Sequence, residues 1–129
     1  MVVDQGKPAR ILIVEDEPFL ALALEETLID AGFAIAGVTG RIDKALAVID
    51  SGGCDSAILD ANLAGISATP VAAALTARGL PFIVMSGYSA NQQPEALRAA
   101  PLVQKPCRPE RIIETLKNVL SKPLGDARH

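Results

Sequence analysis

The 129-residue chain has few of the side chains that build stacking sites, zinc sites or catalytic triads. It contains no tryptophan, one tyrosine and three phenylalanines, which leaves little surface for binding a base or a flavin ring by stacking. Its single histidine, His129, is the last residue, and Cys54 and Cys107 stand far apart in the sequence. A cysteine–histidine zinc site and a Ser-His or Cys-His catalytic pair are therefore not expected.

The chain also lacks a strong charge of either sign and a long apolar run. Its formal net charge is −3 and its pI is about 5.1, which argues against non-specific nucleic-acid binding because that needs a basic surface. No apolar stretch reaches the length of a membrane span. The N-terminal segment MVVDQGKPAR has no apolar region of the kind found in signal peptides. We therefore expect a cytoplasmic protein with neither a nucleic-acid nor a membrane partner.

Short apolar runs alternate with segments of helical periodicity, and 50% of the residues are hydrophobic, so one domain can bury a real core. Five runs predict buried strands: Arg10–Val14, Phe33–Val38, Ser56–Leu59, Pro81–Met85 and Leu102–Gln104. Helices are predicted from Pro18 up to Gly32 and over Asp43–Asp50, Thr69–Arg78 and Pro109–Leu120, while Asn91–Ala100 is only weakly helical. We place this domain at residues 9–121, between a flexible N-terminus (1–8) and a C-terminal tail (122–129).

Strand–helix alternation indicates an α/β fold, a parallel five-stranded sheet between two helical layers. In the flavodoxin-like (βα)5 doubly wound order 2-1-3-4-5, the first and third strands are neighbours, and ligands bind at their carboxyl ends. Glu15 and Asp16 follow the first predicted strand and Asp60 follows the third, so these three carboxylates would share one pocket. Because packed carboxylates repel, a hard divalent cation such as Mg²⁺ is expected beside them.

Ser86 and Lys105 follow the fourth and fifth predicted strands and would flank the same pocket. A hydroxyl and an ammonium facing a carboxylate can stabilise the oxyanions of phosphoryl transfer, in which an aspartate can act as the nucleophile. Each residue also has an ordinary explanation, since Asp60 suits a turn or a helix N-cap and Lys105 a solvated surface. The coincidence of such residues at four strand ends favours the joint functional interpretation.

Four motifs, in matching order and spacing, resemble the receiver domain of two-component response regulators over about residues 9–121. They are VEDEP (Val14 to Pro18), LDANLAG (Leu59 to Gly65), VMSGY (Val84 to Tyr88) and QKP (Gln104 to Pro106). The resemblance implies a single-domain response regulator that is no enzyme beyond its own phosphorylation and dephosphorylation. The Lys-Pro bond in the last motif is a candidate for the cis form.

By this resemblance, Asp60 accepts the phosphoryl group, Lys105 pairs with the phosphoryl oxygens, and Ser86 moves to bind them. The implied Mg²⁺ ligands are Asp16, Asp60, the backbone carbonyl of Asn62 and, through water, Glu15. The phosphoryl donor is a sensor histidine kinase or a histidine phosphotransfer protein. The signal then leaves through protein–protein contact or a phosphorelay, from a monomer or a weak homodimer.

The chain departs from the family pattern at several positions. Leu102 stands three residues before Lys105, where many receivers carry an aromatic reporter, and Tyr88 is a candidate replacement. Ala64 stands where proline is frequent. The segment Gly87 to Ala100 partly matches a subgroup with an SGY- or TGY-type segment and an irregular fourth helix. We expect that segment to be mobile without phosphate and to become ordered on activation.

Three other functions fit the sequence less well. A phosphorylation-independent receiver-like adaptor predicts the same fold but gives Asp60 no role. A Mg²⁺-dependent aspartyl phosphatase needs a second aspartate two positions after its nucleophile, whereas Asp16 is followed there by Pro18. A flavodoxin-like FMN carrier needs a phosphate-binding loop and stacking aromatics that the chain lacks.

Overall fold

A parallel five-stranded sheet lies at the centre of the computed structural model, which describes residues 6–121. In chain order the strands are β1 (Arg10–Val14), β2 (Ala34–Thr39), β3 (Ser56–Asp60), β4 (Asn62–Leu63), β5 (Ile66–Ser67), β6 (Phe82–Ser86) and β7 (Leu102–Gln104). The sheet order is β2-β1-β3-β6-β7, and β4 and β5 pair separately. Counting the sheet strands alone gives the order 2-1-3-4-5, which confirms the predicted fold class. The terminal segments predicted at 1–8 and 122–129 lie mostly outside the described residues.

Helices cover both faces of this sheet. They are α1 (Pro18–Asp30), α2 (Ile42–Asp50), α3 (Thr69–Ala77), α4 (Glu95–Arg98) and α5 (Pro109–Leu120). Successive strand residues point to opposite faces, so Ile11 and Ile58 pack with α1 and α5, whereas Leu12 and Leu59 pack with α2 and α3. Burial on both faces explains why the central strands are continuous apolar runs. No helix within the described range 6–121 is both long enough and apolar enough to cross a membrane.

The second strand begins one residue later than the sequence indicated, because Phe33 belongs to the end of α1. Gly32 has a φ of 95°, and its N–H donates to the carbonyl oxygen of Ile29 at 3.0 Å. The N–H of Phe33 donates to the carbonyl oxygen of Leu28, also at 3.0 Å. This pair of bonds is the Schellman arrangement that satisfies the last carbonyls of a helix. Phe33 is buried, so its side chain anchors this turn to the core.

A short antiparallel hairpin, which the sequence analysis did not predict, follows β3. Strands β4 and β5 pair through a two-residue loop in which Ala64 has a φ of 53° and Gly65 a φ of 89°. Two positive φ values are what a type I′ turn requires. The side chain of Asn62 accepts a hydrogen bond from the N–H of Gly65 at 2.7 Å. Proline cannot adopt a positive φ, so this backbone excludes the residue that is frequent in the family at position 64.

The segment after β6 is irregular, as the sequence indicated. It contains a 3₁₀ turn at Ala90–Gln92 and the four-residue α4, which starts directly after Pro94. Leu97 is the buried side chain of α4 and packs into the core that α3 also lines. The expectation that this segment becomes ordered on activation remains a prediction.

Candidate functional site

An acidic cluster formed by Glu15, Asp16 and Asp60 lies at the carboxyl edge of the sheet. Val14 pairs with Leu59 in the parallel register of β1 and β3, so Glu15 and Asp60 follow paired residues. One carboxylate oxygen from each of the three acids lies within 4.8 Å of the others. Glu15 and Asp60 are buried at 3% and 6% exposure, whereas Asp16 is exposed. The structure therefore brings together the three carboxylates that the sequence placed at one edge.

Lys105 joins this cluster from two strands away. Its Nζ donates to Asp60 Oδ2 at 2.9 Å and to Glu15 Oε1 at 3.2 Å. Burial of the ammonium acts to lower the pKa of Lys105, but its contacts with Asp60 and Glu15 outweigh burial and raise that pKa. The bond from Lys105 to Pro106 is cis, as the sequence suggested. Lys105 thus stays cationic and holds two buried carboxylates at once.

The pKa of Glu15 is raised by its surroundings. Burial, and secondarily the nearby charge of Asp60, raise the pKa of Glu15 from 4.5 to about 7. The backbone N–H of Glu17, which donates to Glu15 Oε2 at 3.0 Å, and the ammonium of Lys105 oppose this rise. A carboxyl group that keeps its proton to near neutral pH is typical of a buried site next to another acid, and such groups are found at functional sites.

The carboxylate of Asp60 is fixed through both of its oxygens. Oδ2 accepts from Lys105, and Oδ1 accepts from the backbone N–H of Asn62 at 3.1 Å. The second bond forms an Asx turn, in which an aspartate or asparagine side chain accepts from the backbone N–H two residues on. The ordinary turn role of Asp60 and its place in the pocket therefore coexist.

Ser86 ends β6, one residue beyond Met85, the partner of Asp60 in the β3–β6 register. Its carbonyl oxygen accepts the backbone N–H of Lys105 at 2.7 Å, which ties the two strand ends together. Its buried hydroxyl accepts hydrogen bonds from the N–H of Tyr88 at 3.0 Å and from Gln93 Nε2 at 2.8 Å. The tyrosine ring is exposed. Sequence reasoning missed Gln93 because no periodicity links a loop glutamine to a strand-end serine.

Gly40 is a second contributor that sequence reasoning missed. It follows β2, whose last residue, Thr39, accepts the backbone N–H of Glu15 at 2.9 Å. A Cβ atom on Gly40 would lie 2.8 Å from both Cα and Cβ of Asp16. The backbone that carries Asp16 therefore occupies space that only a glycine at position 40 leaves free.

Comparison with known proteins agrees with this geometry. The response regulator receiver domain family matches the chain over residues 11–117. The chain belongs to this family. Receiver domains are signalling modules, and the resemblance drawn from the four motifs is confirmed. No curated protein matches the chain.

Solved structures of response regulators resemble this receiver domain over most of its length. The solution structure of SdrG from Sphingomonas melonis Fr1 is 39% identical, with 88% of this chain and 97% of that chain covered and a TM-score of 0.74. The BeF3-activated conformation of SdrG from Pseudomonas melonis Fr1 is also 39% identical, covering 86% and 94%, with a TM-score of 0.71. A putative response regulator from Chloroflexus aurantiacus J-10-fl is 26% identical, covering 90% and 100%, with a TM-score of 0.76.

The substitution Gly40→Ala should destabilise this receiver domain by about 1–3 kcal/mol, because backbone atoms of Asp16 must shift to admit the methyl group. The matched control is Gly37→Ala in β2, where the new Cβ would lie 3.5 Å from Leu12 Cδ1 and 3.7 Å from Val48 Cγ2, at ordinary contact distance. Urea unfolding of the three proteins measures the difference. Equal losses of unfolding free energy in the two variants would show that the close approach of position 40 to Asp16 has no special effect on stability.

The stability of the domain should depend on pH through Glu15. Because its folded pKa of about 7 lies above the ordinary 4.5, its contribution is fully present below pH 4.5 and is lost as pH rises through 7. With a chelator present to remove divalent cations, the free energy of unfolding should fall between pH 4.5 and 7. Glu15 should contribute up to about 2–3 kcal/mol to this fall. Glu15→Gln should remove that component, while Glu17→Gln, which leaves Glu15 in place, should keep it. An unchanged slope in Glu15→Gln would contradict the assignment.

Proposed function

We propose that this receiver domain accepts a phosphoryl group on Asp60 from a sensor histidine kinase or a histidine phosphotransfer protein, with Mg²⁺. The observation that carries the proposal is the buried carboxylate of Asp60, held by the ammonium of Lys105 beside two further acids. The SdrG relative with a BeF3-activated conformation supports it. The protein acts in the cytoplasm, as a monomer or weak homodimer.

The residues of the acidic cluster fit a divalent cation. Three carboxylates lie together, and one ammonium, that of Lys105, contacts two of them. Oxygen ligands of this kind suit Mg²⁺, which also keeps bound waters. Asp16, Asp60 and the backbone carbonyl of Asn62 would hold the ion directly, and Glu15 would hold it through water. When bound, the ion would offset the charge of the phosphoryl oxygens.

Transfer requires an oxygen of Asp60 to form a bond to phosphorus while the bond from phosphorus to the donor histidine nitrogen breaks. The chain positions the nucleophile, since Lys105 and the N–H of Asn62 fix the plane of the carboxylate. As the phosphoryl group arrives, the ammonium of Lys105 turns part of its hydrogen bonding to the new oxygens. Little further chemistry is needed, because such transfers depend mainly on position and charge.

Transmission of the signal from the phosphorylated site to a partner protein depends on Ser86. A phosphoryl group adds roughly −1.5 to −2 charges and three strong acceptor oxygens at the end of β3. The hydroxyl of Ser86 binds one of these oxygens and couples the site to the surface of β6 and β7. A shift from 1:99 to 99:1 between two states takes about 5.5 kcal/mol of differential binding. A downstream protein, or the next member of a phosphorelay, binds the favoured state.

Intact mass after incubation with acetyl phosphate tests the proposal. The protein should gain one phosphoryl group only when Mg²⁺ is present, and Asp60→Asn should gain none. Asp55→Asn is the matched control, since Asp55 precedes the other end of β3 and pairs there with Arg10. A gain that persists in Asp60→Asn would refute the assignment. No gain from acetyl phosphate or from phosphorylated histidine phosphotransfer proteins would favour the phosphorylation-independent adaptor.

A further inference from the structure

The hydroxyl of Ser86, to which the proposed function assigns anion binding, already accepts two hydrogen bonds. A serine hydroxyl has one hydrogen to donate and two lone pairs to accept with. The N–H of Tyr88 and the Nε2–H of Gln93 both donate to Oγ, at 3.0 Å and 2.8 Å. With both lone pairs engaged, Ser86 has only its hydrogen to offer to a further partner.

We propose that Gln93 is a positioning residue for the phosphoryl-binding hydroxyl: it fills a lone pair of Ser86, so that Ser86 presents its hydrogen to the phosphoryl group. This inference rests on the proposed function, since it concerns the same site. A hydroxyl that accepts hydrogen bonds also donates a stronger one, because the bonds polarise each other in a buried setting. Gln93 thus favours an anion over a cationic or donor group at this position.

The loop between β6 and α4 holds Gln93 in place for this role. Gln92 Oε1 accepts a hydrogen bond from the backbone N–H of Ser89 at 3.0 Å, while the single hydrogen of the Ser89 hydroxyl has its shorter contact with Asn91 Oδ1 at 2.6 Å. The backbone N–H of Gln92 donates to the carbonyl oxygen of Ser89 at 3.1 Å and closes the 3₁₀ turn of residues 90–92. Pro94 follows Gln93 as the cap of α4. Gln93 is half-buried and reaches back over seven positions to Ser86. The turn therefore places a donor within hydrogen-bond distance of Ser86 Oγ.

Gln92 and Gln93 form a natural pair for testing the direction of the hydrogen bond. The side chain of Gln92 accepts from the backbone N–H of Ser89, so Gln92→Glu keeps that bond while adding one negative charge. The side chain of Gln93 serves as a donor, so Gln93→Glu adds the same charge but presents only acceptor atoms to Ser86. The carboxylate would then take the hydrogen of Ser86 away from the phosphoryl group.

The experiment is a titration of the full chain with beryllofluoride in the presence of Mg²⁺. The affinity is measured from the changes in amide NMR chemical shifts during the titration. Gln93→Met should weaken binding about three- to tenfold, the value of one hydrogen bond, and Gln93→Glu about tenfold or more. Gln92→Glu should change binding much less than Gln93→Glu. In a Ser86→Ala background, Gln93→Met should cause no further loss, because the hydroxyl that it positions is absent.

Each other outcome overturns the inference. An equal loss from Gln93→Met with and without the Ser86 hydroxyl would show a merely structural role for the glutamine. Binding by Gln93→Glu at the wild-type level would show that Gln93 faces Ser86 with an acceptor. Normal binding by both Gln93 variants would remove the inference and leave the proposed function intact, whereas failure of the wild-type protein to bind would remove both.

Discussion

The contact of the Lys105 ammonium with two buried carboxylates is the interaction on which the site depends. Lys105 extends from the end of β7 past the end of β6 to reach Asp60 and Glu15, at the ends of β3 and β1. Removing one partner of a buried pair costs about 3–5 kcal/mol, because the remaining charge is left without compensation. The parallel register of four strands is therefore tied to the charge balance of one pocket.

The acidic cluster holds three carboxyl groups, and the ammonium of Lys105 contacts two of them. The cluster can therefore accept a further cation. The pKa of Glu15 is raised to about 7 chiefly because the carboxyl group is buried, and the nearby charge of Asp60 adds to the rise. A divalent cation bound beside these carboxylates would relieve the repulsion between them. Ser86, tied to Lys105 through its carbonyl oxygen and to Gln93 through its hydroxyl, connects such a change to the loop before α4.

Much of this arrangement follows from the sequence, because it rests on local patterns. Apolar runs ending in acids, a serine and a lysine fix both the sheet and the group of residues at its edge. The features that the sequence did not predict depend on contacts between distant residues or on backbone dihedral angles. The apolar pattern places Phe33 in the second strand. In the structure Phe33 ends α1 instead, and this depends on the positive φ of Gly32, which the pattern does not show. The space that Gly40 leaves for Asp16 becomes visible only when β2 lies beside β1. The bond from Gln93 to Ser86 depends on the turn between them.

A crystal structure with Mg²⁺ and beryllofluoride would test the central claim most directly. Beryllium should be bonded to a carboxylate oxygen of Asp60, with Lys105 and Ser86 donating to its fluorides. The metal should lie on Asp16, Asp60 and the carbonyl oxygen of Asn62. Beryllium on another carboxylate, or a fluoride group that Lys105 does not contact, would contradict the assignment of Asp60 as the phosphoacceptor.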